Sequence, residues 1–442
     1  METSHIADRL IRFGAEDGDY MVTKSDDLII DFTDKIRAIR FTSGYTVYIR
    51  VSVGKHVGFY TSNDLSPEGI EEAAKTAVKI AEVSPEDPYW VGAPRGLGLT
   101  DVEGIYDKRL AELTPDEAVD MVKSAMEGVS TAKPGVRPVR GSLRINVREY
   151  TIGNLNGEEV SRRGTSIFIY ISGRAEEPGR SAVYTDFQNS RSLDRIKPYE
   201  LGREVGLKAY EFLDAEAVST GLYDLILDGR VAASIFRIML SQAVSADAVQ
   251  MGRSPLAGKV GCKLLSENIT FVDDGTVPGY VGSKPCDDEG IPVRRNVIFD
   301  RGVLKTYLYD TYTANKENRR STGNAHRSVG ASTVPLPNNL ILNPGDYTLE
   351  EMVEDTSKGV YVLKTIGEWL SNPVSGFLNA TVTHGYFISN GSIAGRVKGA
   401  VIGGDFYQLM NVKVVGLSKE LYESMSSYSP HVKFEKVQLS SK

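Results

Sequence analysis

Apolar and polar residues alternate along the first part of the chain in a pattern that predicts a strand hairpin and then a helix. Between residues 46 and 53 the two kinds of residue exchange at every position, which is typical of a half-buried strand. Residues 54–61 predict a turn and a returning strand. From 66 to 81, a capping serine, a proline at the first helical position and an apolar residue every three or four positions predict a helix. Residues 1–33 lack such a pattern and predict a helical or irregular lead-in.

The same kinds of element recur in the next stretch, after a segment at 85–100 that is rich in Pro and Gly. The patterns are a capping box at 114–117, strictly alternating strands at 143–147 and 167–171, and a helix at 199–213. We therefore predict two α+β subdomains, residues 1–110 and 111–222. Either an internal duplication or a mere similarity in the order of elements would explain them.

The pattern changes after residue 222. A helix is predicted at 231–244, followed mainly by strands and turns, with a tight hairpin at 298–304 and Thr348 capping the one further helix. A second hairpin contains Asn390-Gly391, which supplies the two positive φ angles of a type I′ turn. Residues 223–442 are thus predicted to form a β-rich, barrel-like C-terminal domain. The expected fold class is α+β, with two N-terminal sheet-plus-helix subdomains followed by this mostly antiparallel domain.

Composition narrows the class of protein. The 442 residues are 41% hydrophobic and 25% charged, with a net charge of −7, as expected for a soluble globular chain of two or three domains. The sequence has no apolar run near the roughly 20 residues of a membrane span and no signal-peptide pattern at its start. Two cysteines make a disulfide framework improbable. We predict a cytoplasmic protein, without a membrane partner. Direct nucleic-acid binding is not expected, because basic residues and aromatics do not cluster.

The histidines do not form a metal motif. Five are scattered along the chain, and neither His-Glu-x-x-His nor Cys-x-x-Cys occurs, so a zinc site built by this chain alone is not expected. His326 is the best functional candidate because it adjoins the phrase Ser321-Thr322-Gly323-Asn324-Ala325. A histidine in a solvent-facing loop is the simpler interpretation.

Polar turns carry the remaining candidate chemistry. Ser321, Thr322 and Asn324 place three hydrogen-bonding side chains around Gly323, which suits either a peptide groove or a purely structural turn. The acidic phrases at 273–275 and 287–290 could bind a hard cation, but they lack the ligand spacing of a calcium loop. Turn-forming Asp residues that accept from their own backbone explain them more simply.

Five phrases in a fixed order resemble the TldD/TldE family, in which TldE is also called PmbA. They are Gly258–Gly261, Asp287–Pro292, Gly302–Lys305, Ser321–Ala325 and Arg396–Ala400. The resemblance implies a cytoplasmic two-subunit protease that degrades or trims unfolded peptides. It also implies that the TldD-type subunit holds zinc with His-Glu-x-x-x-His on a helix and a C-terminal Cys. Links to gyrase modulation, toxin–antitoxin turnover and peptide-antibiotic maturation come from the same resemblance.

The chain departs from the family's metal motif. Counting back from Gly258 places the motif on residues 237–242, where Arg237, Ile238 and Gln242 stand at degenerate positions, and no Cys occurs after residue 416. We therefore predict a non-catalytic TldE/PmbA-like subunit without metal or cofactor of its own, paired with a TldD-like zinc subunit. The alternatives are a homodimeric peptide- or ligand-binding protein without protease activity and a hydrolase with an unassigned nucleophile.

Overall fold

A computed structural model describes residues 4–327 and 332–441 of the chain. Its first half contains six strands: β1 (Asp17–Phe32), β2 (Ile36–Val53), β3 (His56–Ser62), β4 (Val136–Asn154), β5 (Glu159–Glu177) and β6 (Arg180–Ser190). Five helices accompany them: α1 (Ser4–Arg12), α2 (Pro67–Val83), α3 (Lys108–Ala111), α4 (Pro115–Ala132) and α5 (Pro198–Glu211).

All six strands belong to one antiparallel sheet in the order β3-β2-β1-β4-β5-β6. β1 lies at its centre and pairs with β2 on one side and with β4 on the other. The prediction of a helical or irregular lead-in over residues 1–33 therefore agrees with α1 but is wrong for the residues of β1. Residues 24–27 of β1 are all polar and half-buried, which breaks the alternation that would have revealed the strand. The two predicted subdomains contribute three strands each to this shared sheet, and their boundary near residue 110 stays a prediction.

Helices cover one face of the sheet as the apolar patterns predicted. Val47, Ile49 and Val51 are fully buried against α2, whose side chains from Ile70 to Ala81 form the opposing stripe. The capping box at Thr114 starts α4, which packs with α5 over the other half of the sheet. These two helices approach closely because glycine faces the contact. A Cβ on Gly202 would lie 1.9 Å from the carbonyl oxygen of Ala125.

The second half of the chain contains sixteen strands and five helices in the described residues. The strands are β7 (Glu216–Ala217), β8 (Gly221–Leu227), β9 (Phe271–Asp274), β10 (Arg295–Asp300), β11 (Val303–Leu304), β12 (Ala325–Arg327), β13 (Thr333–Pro335), β14 (Leu340–Leu342), β15 (Lys358–Ile366), β16 (Phe377–Ser389), β17 (Ser392–Lys398), β18 (Ala400–Asp405), β19 (Val414–Leu417), β20 (Tyr422–Ser424), β21 (Ser427–Ser429) and β22 (Val432–Ser441). The helices are α6 (Gly229–Leu240), α7 (Ala246–Gln250), α8 (Thr311–Lys316), α9 (Leu349–Glu354) and α10 (Phe406–Val412).

Five of these strands close into a barrel in the order β15-β8-β22-β18-β16, with β16 pairing back to β15. All neighbours are antiparallel except β8 and β15. The predicted α+β class and barrel-like C-terminal domain are therefore confirmed. Both predicted hairpins are also present: Arg301 and Gly302 have φ of 46° and 79°, and Asn390 and Gly391 have φ of 50° and 75°.

A second sheet, in the order β11-β10-β9-β14-β21-β20, lies beside the barrel. α6 shares one apolar core with both, and the ring of Phe236 packs edge-on against Phe271 of β9. The capping box at Thr348 starts α9 as predicted. The expectation of a single further helix is wrong, because α7, α8 and α10 also form, each only five to seven residues long.

The C-terminal domain covers the face of the N-terminal sheet that the helices leave open. Cys286 is buried there between Met21 and Ile152 of the sheet, and it forms no disulfide. The polar positions of β2 near Arg50 therefore point into an interdomain contact and not into solvent. No helix within the described part of the chain is long and apolar enough to cross a membrane.

Candidate functional site

A cleft of about 520 Å³ opens between the loop at 91–96 and the C-terminal domain. Its wall carries four arginines, Arg95, Arg294, Arg319 and Arg320, and no acidic residue lines it within the described part of the chain. The chain as a whole carries a net charge of −7, so this concentration of positive charge stands out from its surroundings. Guanidinium groups in such an arrangement suit the carboxylates of an acidic ligand.

The four arginines differ in the contacts that their side chains make with the rest of the protein. Arg95 pairs with Asp17 at 3.0 Å, and Arg294 donates to the carbonyl oxygens of Ser321 and Thr322. Arg319 lies 3.4 Å from Glu317 and over the ring of Tyr309. Arg320 makes no ion pair with any residue that the structure describes. All four side chains are exposed, so a ligand in the cleft could reach them.

The turn at 321–324 forms part of this wall, but only Ser321 lines the cleft. Thr322 is tied to the backbone of Tyr309, donating from Oγ1 to its carbonyl oxygen at 3.0 Å and accepting from its N–H at 2.8 Å. Gly323 has φ of 76°, and a Cβ there would lie 2.7 Å from the carbonyl oxygen of Pro292. These contacts favour a structural role for Thr322 and Gly323. Ser321 stays a candidate for contact with a peptide.

Asn324 is fully buried and anchors the turn to Asp273. Its Nδ2 donates to Asp273 Oδ2 at 2.7 Å and to the carbonyl oxygen of Leu336 at 3.0 Å. Asp273 Oδ1 accepts from the backbone N–H groups of Asn338 and Asn339. Burial raises the pKa of Asp273 to about 6 despite these donors. The contacts of Asn324 are thus within the protein, which favours the structural interpretation.

The acidic phrases form turns, as the simpler interpretation predicted. Asp274 accepts from the N–H and hydroxyl of Thr276, and Asp287 accepts from the N–H groups of Glu289 and Ile291. In the described ranges, 4–327 and 332–441, no group of three or more His, Cys, Asp or Glu could hold a metal ion.

His326 lies on β12 with a half-buried side chain, so the interpretation as a solvent-facing loop histidine is wrong. Its Nε2 is buried and without a hydrogen bond to any described residue. Burial, together with the nearby cations Lys284 and Arg162, lowers the pKa of His326 to about 3. The imidazole is therefore neutral at physiological pH.

Below the cleft, a network of buried ion pairs joins the two halves of the molecule. Arg50 of β2 donates to Asp19 at 2.6 Å and to Glu289 at 2.8 Å. Arg327 of β12 donates to the second oxygen of Asp19, and Arg162 of β5 pairs with Asp288. Arg50, Asp19 and Glu289 are each no more than 3% exposed. We call these six residues the interdomain ion network.

Charge pairing lowers the pKa of two carboxyls of this network, Asp19 and Asp288. Burial alone would raise the pKa of Asp19, but the charges of Arg327 and Arg50 outweigh it and hold the pKa below its usual value. Lys284 and Arg162 outweigh burial in the same way at Asp288. At Asp287, which lies beside the network, burial and the charge of Glu289 outweigh the charge of Lys284 and raise the pKa.

Sequence reasoning missed both the cleft and the network. The four cleft arginines lie in three separate segments of the sequence, so no local pattern joins them. Arg50 was correctly placed on the polar face of its strand, but its partner Glu289 is 239 residues away. Arg50 is one of several polar residues that alternate with apolar ones along the strand, so no local signal distinguished it.

The degenerate metal-motif positions lie at the end of α6. Arg237 and Gln242 are exposed, and Ile238 packs against the main core. The guanidinium of Arg237 cannot lose its proton to become a ligand, and the amide of Gln242 is a poor one for zinc. These residues do not fit a zinc ion.

Three family models match the chain in sequence order. The PmbA/TldA metallopeptidase domain 1 matches residues 34–81, the central domain matches 108–213, and the C-terminal domain matches 220–441. Together they cover well over half of the chain and define a metallopeptidase-like protein. The chain belongs to the PmbA/TldD family.

Relatives and solved structures agree with this assignment. A metalloprotease of Methanocaldococcus jannaschii is 27% identical over 429 residues, which cover 95% of this chain and 91% of the relative. The crystal structure of TldE from Thermococcus kodakarensis is 25% identical and superposes with a TM-score of 0.87 over 98% of this chain and 100% of that one. A Thermotoga maritima protein, described as a candidate modulator of a DNA gyrase, shares the fold with a TM-score of 0.90 at 23% identity, over 99% of this chain and 100% of that one.

Proposed function

We propose that this chain is the metal-free, TldE-like subunit of a cytoplasmic two-subunit metalloprotease that acts on unfolded peptides. The residues at and just after the end of α6 support the proposal, because the family resemblance would place the metal motif at 237–242, where Arg237, Ile238 and Gln242 stand instead. None of the three can replace a histidine or the catalytic glutamate. The zinc chemistry would then belong to a TldD-like partner.

In this proposal the arginine-lined cleft is where the subunit holds peptide. Four cationic side chains surround about 520 Å³ of open space, enough for a few residues of an extended chain. Arginine binds carboxylates through two parallel hydrogen bonds, so acidic stretches of an unfolded peptide suit the cleft best. Ser321 would add a hydroxyl at its wall.

Zinc analysis and a peptidase assay test the proposal, with the chain measured alone and mixed with a TldD-like companion. We expect no stoichiometric zinc and no cleavage of an unfolded peptide by the chain alone, and cleavage when both subunits are present. Stoichiometric zinc together with peptidase activity in the isolated chain would show that the proposal is wrong.

A homodimeric peptide- or ligand-binding protein is the second candidate function. The observation in its favour is that the cleft offers a ligand four arginines and the hydroxyl of Ser321, groups that bind without metal chemistry. Purification from the native host separates the two candidates. A companion chain bearing His-Glu-x-x-x-His supports the protease subunit, whereas a homodimer without any companion supports the binding protein.

A hydrolase with an unassigned nucleophile has weaker support. The hydroxyls of Ser321 and Thr322 both donate to the carbonyl oxygen of Tyr309, and a carbonyl cannot act as the base that would activate them. Activity in the isolated, metal-free chain that is lost in Ser321→Ala would favour this alternative.

A further inference from the structure

A second, smaller cavity with a concentration of positive charge lies between the N-terminal sheet and the C-terminal domain. Its volume is about 50 Å³, and five of the residues that line it are cationic: Arg148, Arg162, Arg163, Arg191 and Lys284. The other lining residues include Thr165, Ser166 and Ser283, and none of the described residues that line the cavity is an Asp or Glu. The cavity is separate from the arginine-lined cleft and shares no residue with it.

The cationic side chains around this cavity outnumber the carboxylates that pair with them. Arg148 pairs with Asp27 at 2.7 Å. Arg162 and Lys284 share Asp288, and Lys284 remains 3.9 Å from it. In the part of the chain that the structure describes, Asp27 and Asp288 are the carboxylates within 4 Å of the five cations, and the charge of Asp287 also acts on Arg162 and Lys284.

Arg191 shows the imbalance most clearly. Its guanidinium donates only to the carbonyl oxygens of Thr165 and Ser283, at 3.1 and 3.2 Å, and pairs with no carboxylate among the described residues. The Nε atoms of Arg191 and Arg162 are buried and have no hydrogen-bond acceptor in the described residues. Buried donors without an acceptor destabilise a protein, so these atoms point to a missing acceptor.

Lys284 is equally unusual because its side chain is only 10% exposed and its nearest carboxylate is beyond hydrogen-bond distance. Burial lowers the pKa of Lys284, and the neighbouring Arg162 lowers it further. A buried cation in this position is costly unless an anion compensates for it.

We propose that this cavity, which we call the oxyanion pocket, binds a tetrahedral oxyanion of the phosphate class. A water molecule needs about 10–15 Å³ of such space, so the cavity can take a group of roughly four oxygen-sized atoms. Such an anion would accept hydrogen bonds from several guanidinium groups at once, which is the geometry that favours arginine at phosphate sites.

The oxyanion is either free phosphate or the phosphoryl end of a larger molecule. An open cleft of about 360 Å³ shares Tyr150, Arg162 and Arg163 with the oxyanion pocket and would hold the rest of such a molecule. In both cases the bound anion would bridge β4 and β5 of the sheet to residues 283–285 of the C-terminal domain.

Isothermal titration with inorganic phosphate tests the proposal on the full chain, at constant ionic strength maintained with sodium chloride. We expect saturable binding of one phosphate per chain. Lys284→Met and Arg191→Gln should each weaken it at least about tenfold, because each removes a charge that would face the anion. Arg144→Gln is the matched control, since Arg144 is exposed on the same strand as Arg148 and lies outside the cavity. It should change the affinity less than about twofold.

A parallel titration with phenyl phosphate distinguishes the two sources of the anion. Tighter binding than inorganic phosphate indicates a phosphoryl group on a larger molecule, and weaker binding indicates free phosphate. Failure to bind either probe, or equal binding by the wild type and both pocket variants, would overturn the proposal. Circular dichroism of each variant checks that it is folded. Loss of phosphate binding in a folded Lys284→Met protein cannot result from unfolding.

Discussion

The molecule contains two groups of arginines that differ in how their charge is balanced. In the interdomain ion network, Arg50 is 3% exposed and is paired with both Asp19 and Glu289. In the cleft, Arg319 and Arg320 are exposed, and only Arg319 has a nearby carboxylate. A buried arginine with fixed partners contributes to the folded state, whereas an exposed one without them keeps its hydrogen-bonding capacity for a ligand. The comparison therefore separates structural charge from charge available for binding.

The largest expected effect comes from breaking the network at Asp19. Asp19→Asn leaves Arg50 and Arg327 buried with one carboxylate fewer between them, and loss of one partner of a buried pair typically costs about 3–5 kcal/mol. We expect a decrease of this size in the free energy of unfolding, measured by urea denaturation.

Asp31→Asn is the matched control for this change. Asp31 lies on the same strand and pairs with Arg40, but both side chains are more than a third exposed. Exposed pairs contribute about 0–1 kcal/mol, so this variant should be close to wild type. Similar losses in both variants would contradict the structural role given to the network.

The second prediction concerns pH and Asp273, whose pKa burial raises to about 6 from 3.8. A carboxyl with a raised pKa contributes stability below its unfolded pKa, and this contribution is lost as the pH rises through the folded value. Wild type should thus lose about 2–3 kcal/mol between pH 4 and pH 7 relative to Asp273→Asn, which does not titrate. Unfolding curves at several pH values measure the difference.

Asp19 should change the stability with pH in the opposite direction. Its pKa is lowered, so its contribution is present above about 3.8 and is lost as the pH falls below that value. Wild type should therefore lose stability relative to Asp19→Asn on acidification below pH 4. If the stability of wild type relative to Asp273→Asn and relative to Asp19→Asn changed in the same direction with pH, either the raised pKa of Asp273 or the lowered pKa of Asp19 would be wrong.

The third prediction tests the cleft. Arg319→Gln combined with Arg320→Gln should weaken binding of a glutamate-rich unfolded peptide about tenfold, or about 1.4 kcal/mol, because two cationic contacts are lost. The affinity of the wild type should also fall with added salt. Fluorescence anisotropy of a labelled peptide measures both effects.

Arg140→Gln is the control for the cleft. It removes an exposed arginine of β4 that lies outside the lining of the cleft. The control should bind peptide as wild type does, and neither protein should lose stability. Equal loss of affinity in the two proteins would mean that net charge matters and the cleft does not.

The smallest expected effects distinguish the role of the Thr322 hydroxyl from that of the Ser321 hydroxyl. Thr322→Val removes a hydroxyl with two hydrogen bonds to Tyr309 and should cost about 1 kcal/mol of stability without changing peptide affinity. Ser321→Ala should weaken peptide binding slightly and cost less stability than Thr322→Val, because the hydrogen bonds of Ser321 to the carbonyl oxygen of Tyr309 and from the N–H of Gly323 are both longer, at 3.2 Å. The reverse pattern would assign the peptide contact to Thr322.

Local patterns predicted most of the fold but little of the site. The helix stripe from Ile70 to Ala81 and the Asn390-Gly391 turn were predicted correctly because their causes lie within a few residues. The central strand β1 was missed because its middle is polar on both faces. Its place in the sheet depends on pairing with β4, more than a hundred residues later.

The candidate functional site depends on contacts between residues that lie even farther apart in the sequence. The sequence places Arg50 on the polar side of an alternating strand and Asn324 in a turn that suits either a peptide groove or a purely structural role. The structure buries both, because the C-terminal domain covers the sheet and Asp273 reaches the turn. Their roles follow from partners that no local pattern contains. The cleft arginines likewise converge only in three dimensions.

The closed barrel has a consequence for folding during synthesis. β22 lies between β8 and β18, so the last barrel strand to be synthesised completes the pairing of the first. Roughly 200 residues separate β8 from β22, and at about 5–20 residues per second the ribosome needs about 10–40 s to deliver them. During that time at least one edge of β8 is unpaired and open to wrong partners, and both edges are unpaired until β15 has been made. The N-terminal sheet can form earlier, and a chaperone that protects the nascent chain would be needed mainly in this interval.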